Sequence, residues 1–273
     1  MQNPTPLDDG LVLDVGAHLG EDSDFYLKLG YRVVAIEANP QLVERLAQRF
    51  AQEIAQGRLT IVPNAIGESD QLITFYINKK LSVWGTTDPK WAARNAGMGK
   101  DSEEIQVQCI RFEDVLARHG HPLYVKIDIE GADMLCVHAL ERVSPAARPK
   151  FVSVESSKTS WRDLVEEFNT FERLGYTHYQ VIDQRRHRNG RYRRHGGGDI
   201  EHRFESGATG PFGDNLSGPW LSKRQALIKY IPIFILYKTI GDNTFLPRVL
   251  RRLPLLRRAL DWVSWYDTHA MRA

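Results

Sequence analysis

Residues Val12 to Glu37 read VLDVGAHLGEDSDFYLKLGYRVVAIE. The apolar run Leu11-Val12-Leu13 leads directly into Asp14, Gly16 and Gly20. Phe25 and Leu29 follow at helical spacing, and Arg32-Val33-Val34-Ala35-Ile36 is a second apolar run ending in Glu37. This succession of strand, glycine turn, helix and strand is a βαβ unit. Glycines in the first turn let backbone approach a ligand closely, and the helix that follows offers unpaired N–H groups. An acid about 20 residues downstream, at the tip of the second strand, is placed to take both hydroxyls of a ribose.

Glycine spacing separates the cofactor classes. A dinucleotide fingerprint is G-x-G-x-x-G, because a pyrophosphate rests on the helix N-terminus. Here the pattern is Asp14-x-Gly16-x-x-x-Gly20, with an acid where a diphosphate would be repelled. Asp14 suits a ligand with an ammonium group, such as the amino-acid end of S-adenosylmethionine (SAM).

Working outward, the βα alternation continues. A helix is expected from Asn39-Pro40 to about Gln56, with a third strand at Leu59–Val62 ending in Pro63-Asn64-Ala65. Asn64, Ala65 and Ile66 at that strand's tip are candidate neighbours of an adenine base, and Asn64 equally suits a turn. Ile73–Ile77 and Ile105–Ile110 read as strands, and the stretch 78–100 between them as a long loop with one short helix. That loop carries Trp84 and Trp91 and fits either a substrate cover or packing on the sheet.

The second chemical landmark is Leu123 to Gly131, LYVKIDIEG. Ligands of open α/β sheets bind beyond the carboxyl ends of the strands. Residues two apart on an extended strand point the same way, so Asp128 and Glu130 face one site if the strand continues. Lys126 shares that parity and is expected to pair with one of them. Phe151–Glu155 is a further strand with an acid at its tip. Glu37, Asp128 and Glu155 thus gather carboxylates at one sheet edge, where they repel unless a ligand, metal or base role uses them.

VLDVGAHLGEDSDFYL, VVAIEANP, VPNAIG and YVKIDIEGAD together resemble the FkbM-type methyltransferases, a branch of the class I SAM-dependent enzymes. The resemblance spans about Leu11 to Glu155, more weakly to Asp183, and KIDIEG is its most specific part. It implies an α/β Rossmann-like fold, with a seven-stranded, mostly parallel sheet flanked by helices. It also implies that Asp14, Gly16 and Gly20 cradle SAM, that Glu37 holds the ribose, and that Asn64 and Ala65 meet the adenine; Ala17 and His18, which depart from the family's usual residues after the first glycine, and Ala38 are further candidates for cofactor contact. Asp128 closes this set. The reaction implied is methyl transfer to a hydroxyl of a small acceptor such as a sugar, glycan or secondary metabolite. Aligning nucleophile, carbon and sulfur is then the enzyme's main task, and a base must take the hydroxyl proton. Asp128 is the first candidate base, then Glu130, Glu155 and His18. His18 alternatively serves only to shape the turn. A divalent metal held by the acids is another way to lower the hydroxyl's pKa, although no residue is assigned as a dedicated metal ligand.

The rest of the chain is less specific. With 273 residues, 42% hydrophobic and 26% charged, it suits one large domain with additions, and a net charge of +2 names no polyanionic partner. The expected division is a SAM-binding core at 1–205 and an extension at 206–273 with turns and helices. Cys109 and Cys136 read as buried thiols of a reducing compartment, and the N-terminus lacks the marks of a secretory signal, so a cytoplasmic location is expected. Arg185, Arg186, Arg188, Arg191, Arg193 and Arg194 form a basic stretch that fits an anionic acceptor or a solvated hairpin tip. No recognition motif accompanies them, so nucleic acid is not expected. Residues 206–214, SGATGPFGD, resemble a block found in some of these methyltransferases and are expected to cap the acceptor pocket. Tyr230–Ile240 is strongly apolar but too short to span a bilayer. Leu246–Trp265, basic and rich in leucine and tryptophan, fits a membrane surface, packing on the sheet or a homodimer contact, with the last two preferred. An NAD-linked oxidoreductase is disfavoured by the glycine spacing. A non-catalytic binding module is disfavoured because every cofactor position is retained.

Overall fold

The computed structural model describes residues 7–78, 85–89, 92–93, 102–157, 160–184, 189–204, 208–240 and 266–273. Its centre is a sheet of seven strands: β1 (Leu7–Val15), β2 (Arg32–Ile36), β3 (Leu59–Val62), β7 (His121–Ile127), β8 (Phe151–Glu155), β9 (Tyr176–Asp183) and β12 (Tyr266–Arg272). The spatial order is β3-β2-β1-β7-β8-β12-β9. Every neighbouring pair is parallel except those made by β12, which runs antiparallel to both β8 and β9. The expected seven-stranded, mostly parallel sheet is therefore present. Its order reverses between β1 and β7, and that switch point is where open α/β sheets bind ligands.

Alternation along the strands explains why both faces are covered. On β1, Leu11, Leu13 and Val15 enter one apolar layer and Val12 the other. Leu13 and Val125, aligned in register across β1 and β7, are fully buried. Each such side chain contributes about 1.5–3 kcal/mol relative to exposure. Helix Glu21–Lys28 covers the Val12 side, with Phe25 and Tyr26 buried beside Val33 and Ala35. Helix Trp161–Arg173 covers the other through Leu164, Phe168 and Phe171, after its Ser160 cap accepts from the Asp163 N–H. Helix Pro40–Arg49 starts at Asn39, whose side chain accepts from the Gln41 N–H.

Three features extend or depart from the sequence expectations. A separate small sheet forms from β4 (Ala65–Ile66), β5 (Leu72–Asn78) and β6 (Ser102–Ile110), in the order β4-β6-β5. A hairpin of β10 (Asn189–Arg193) and β11 (Asp199–Arg203) holds the second half of the basic stretch. Finally β12, in the region read as a helical extension, sits inside the central sheet. Its sequence YDTHAMR lacks an apolar pattern, yet Asp267, Thr268 and His269 are all buried. Asp267 and Thr268 find partners on neighbouring elements. The Thr268 hydroxyl bonds with Ser156 and, at 2.7 Å, with Tyr230, while Asp267 accepts two bonds from Gln184 Nε2. Buried polar groups with partners cost little, so hydropathy misses such a strand. Residues 246–265 and Arg185, Arg186 and Arg188 lie outside the described residues, as does most of 78–100.

Candidate active site

At the switch point the carboxyl ends of β1 and β7 touch. A Cβ on Gly16 would stand 1.9 Å from the Asp128 carbonyl oxygen, and Gly16 has φ +80°. Glycine is required there by its neighbour across the sheet as well as by its own backbone. The N–H groups of Gly16 and Ala17 both donate to the Ile36 carbonyl, which folds the turn over the end of β2. Gly20 has φ +82° and packs against the Phe50 ring, where a Cβ would come within 2.5 Å.

Glu37 stands at the tip of β2 and is buried. One carboxylate oxygen accepts from the His18 N–H and the other from the Asn39 N–H, both at 2.8 Å. Burial raises its pKa against the pull of these two bonds. Each oxygen retains a lone pair for a further donor, as a ribose diol supplies. His18, in the left-handed region at φ 51°, thus presents its backbone to Glu37, and its ring lies 3.8 Å from the Glu21 carboxylate. Burial raises the Glu21 carboxyl, but hydrogen bonds from His18 and from its own N–H outweigh this and hold it low.

Beneath the turn lies a buried ion cluster. Lys126 donates from Nζ to the Gly16 carbonyl at 2.8 Å. The same ammonium is 3.2 Å from Asp14, 3.9 Å from Asp128 and 4.0 Å from Asp22. The Asp14 contact is an ion pair without hydrogen-bond geometry at Oδ1, while Oδ2 accepts from the Ser23 hydroxyl at 2.7 Å. Asp14 is fully buried. The ammonium it meets in this structure is that of Lys126, which also holds the turn through the Gly16 carbonyl. Burial alone would lower the Lys126 pKa, and the charges of Asp14, Asp128 and Asp22 overturn this and raise it. Asp22 also accepts from the N–H groups of Thr209 and Gly210, at 3.0 and 2.8 Å. Burial pushes it up to about 7 against the Lys126 charge, with help from Asp14. The described part of 206–214 is thus tied to the first helix, and Phe212 stacks on Tyr124 at 4.1 Å.

The other side of the switch point is acidic. Asp128, Glu130 and Glu155 each place a carboxylate oxygen within 4.8 Å of the others, and all three are partly exposed. Continued strand geometry was the expected cause, and the structure corrects it. β7 ends at Ile127, and the chain turns through Glu130 at φ 51° and Gly131 at φ 98°. Asp133 holds this turn by accepting from the N–H groups of Ile129 and Gly131. Burial, reinforced by the Asp128 charge, pushes Asp133 up to about 7. Thr86 donates to the Glu130 carbonyl at 2.7 Å, which ties the described part of the 78–100 stretch to the acid turn.

Asn64 behaves as a turn residue, donating to the Gln108 carbonyl. Ala65 is buried among Phe75, Val107 and Cys109, with Ala38 against the same cluster, and Ile66 joins the main core. Arg191, Arg193 and Arg194 lie on the hairpin, whose tip is anchored by the His195 N–H to the Leu29 carbonyl. Leu29 precedes β2 and Gly10, beside His195, lies in the first part of β1, so this tip stands at the sheet edge opposite the acids. Asp22, Asp133 and Thr86 were not anticipated as site residues. Asp22 looks like an ordinary helix-start acid, and only the spacing of Asp133 from Glu130 hints at a turn-closing side chain.

The methyltransferase FkbM domain model matches residues 14–177, more than half of the chain. This chain belongs to the FkbM methyltransferase family. Membership implies SAM as the methyl donor. The chain is also 42% identical over 52 residues to a probable ribosomal RNA small subunit methyltransferase A of Methanospirillum hungatei JF-1. That match covers 19% of this chain and 20% of the relative. Among solved structures, the precorrin-6y C5,15-methyltransferase of Geobacter metallireducens GS-15 is 15% identical, with a TM-score of 0.37, over 72% of this chain and 77% of that one. An rRNA methylase of Streptococcus thermophilus is 10% identical, with a TM-score of 0.35, over 66% and 80%. Within this FkbM domain the residues fit SAM: the Glu37 carboxylate is held for a diol, and the Gly16–Gly20 turn opens a helix. Among the described residues no helix is long and apolar enough to cross a membrane.

Proposed function

We propose that this FkbM methyltransferase methylates a hydroxyl oxygen of a small acceptor of the sugar or secondary-metabolite kind. The observation that carries this reading is the trio Asp128, Glu130 and Glu155, partly exposed and within 4.8 Å, at the edge where Gly16 meets Asp128. SAM, when bound, supplies an electrophilic methyl on a sulfonium centre. The chain must then bind the acceptor, align its oxygen and remove a proton. Glu37 holds the ribose and the turn 16–20 the remainder of the donor. Asp128 would accept the proton of the acceptor hydroxyl that takes the methyl group supplied by SAM, a role typically worth about 10²–10⁴-fold in rate. Glu130 and Glu155 accept from further acceptor hydroxyls. The ribosomal RNA acceptor of the relatives is less well supported here, because the described arginines of the hairpin stand at the opposite edge.

The first test is calorimetric titration with SAM of the wild type and Glu37→Ala, expected to show micromolar binding that the variant loses. Absence of SAM binding in the wild type ends the proposal. Turnover on a panel of sugars and polyketide-like alcohols, with and without chelator, then separates a base from a metal. Loss of activity in Asp128→Asn that chelator does not mimic supports the base. Full loss on chelation, restored by a divalent cation, assigns the trio to a metal instead.

A further inference from the structure

Helix Lys223–Ile240 is apolar on two sides. One stripe, Ala226, Tyr230, Ile233 and Phe234, is buried in the main core. On the far side Arg224, Ile228, Ile231, Ile235 and Lys238 follow one another at steps of four, three, four and three, which places all five on one face. All five are exposed, the three isoleucines at 54%, 43% and 61%. Single exposed hydrophobic residues are ordinary, but a line of them along one helix face with a cation at each end is not. The helix contains no Asp or Glu. The sequence that follows, 241–265, is cationic too, with Arg248, Arg251, Arg252, Arg257 and Arg258 against Asp242 and Asp261.

The face has a defined place in the fold. Phe234 meets Trp161 edge-on at 5.1 Å, and Trp161 opens the helix that follows the strand ending in Glu155. The stripe's second half therefore stands beside the acid-bearing edge of the sheet. A soluble protein partner for this face would need acids to meet both terminal cations. A bilayer rich in anionic lipid offers negative headgroups over an apolar interior, which matches the stripe at its ends and its middle alike. No described helix is long and apolar enough to cross such a bilayer.

We propose that the Arg224–Lys238 face seats the protein on an anionic lipid surface, with Ile228, Ile231 and Ile235 entering the headgroup boundary and Arg224 and Lys238 meeting lipid phosphates. The test is co-sedimentation of the full chain with vesicles of phosphatidylcholine alone or mixed with phosphatidylglycerol, at low and high salt. Retention is expected on the mixed vesicles only, weakening with salt. The double variant Ile231→Asp/Ile235→Asp should lose retention at least about 10-fold, because its new charges face the bilayer. Arg224→Glu/Lys238→Glu, which leaves the apolar line intact, should lose retention to a similar degree. Both pairs are solvent-facing, so melting temperature and SAM affinity should match the wild type. Failure of the wild type to sediment, or equal retention of either variant, overturns the proposal. So does a concentration-dependent dimer abolished by Ile231→Asp/Ile235→Asp, which would assign the face to a second copy.

Discussion

Asp14 and Asp128 end neighbouring strands, face the same ammonium and differ by only 0.7 Å in distance from it, 3.2 against 3.9 Å. Their surroundings separate them. The Asp14 side chain is 0% exposed and held by Ser23, whereas that of Asp128 is 27% exposed among two further carboxylates. A carboxylate neutralised inside the protein anchors the donor turn. The same group at the partly exposed, acid-rich edge is the one proposed above as the base. One lysine faces both, so the two strand ends share a single buried charge.

The largest effect is expected from removing that charge. Lys126→Met leaves Asp14 and Asp22 buried without their cation, and breaking such a pair costs about 3–5 kcal/mol. Denaturant unfolding should show this loss together with weakened SAM binding. An unchanged midpoint would mean the cluster is not the anchor described. Next come the two aspartates themselves. Asp128→Asn should leave stability within about 0.5 kcal/mol of wild type, as surface changes do, while turnover falls about 10²–10⁴-fold. Asp14→Asn should do the reverse in proportion, lowering stability and SAM affinity more than the turnover of the bound complex. Equal profiles for the two variants would erase the distinction between them.

The smallest effect concerns pH. Burial pushes Glu167 from 4.5 up to about 8, opposed by the Ser156 hydroxyl that donates to it at 2.6 Å. The folded protein thus keeps a proton that the unfolded chain releases at lower pH, and stability falls as pH rises from about 4.5 to 8. Glu167→Gln retains an acceptor for Ser156 and cannot ionise. Thermal melts should show it close to wild type at pH 5 and more stable than wild type at pH 8, with a shallower slope between. Asp22 and Asp133, both near 7, retain the rest of that slope.

Much of this could be read before any coordinates. The βαβ unit was legible because side-chain alternation and the glycine turn are local signals, and Glu37 followed from its position at a strand tip. The meeting of Asp128 with Glu130 was foreseen for the wrong reason. Parity along a strand suggested it, whereas a turn with φ 51° at Glu130 produces it. Lys126 was expected to pair with an acid of its own segment, but its nearest carboxylate, Asp14, lies on another strand. The requirement for glycine at position 16 was only half visible, since the carbonyl that excludes a side chain belongs to Asp128. β12 was invisible because three of its five buried residues are polar, and the partners of Asp267 and Thr268 come from distant elements.

The position of β12 also bears on how the molecule is made. More than eighty residues separate Asp183 from Tyr266, yet Tyr266–Arg272 fills the gap between β8 and β9. At about 5–20 residues per second, a ribosome needs several seconds to supply that strand after β9 has emerged. During this interval the facing edges of β8 and β9 carry unpaired N–H and C=O groups, the usual template for mispairing between chains. Closure of the sheet is thus a non-local event, and the nascent protein is most exposed to aggregation between the emergence of β9 and that of β12.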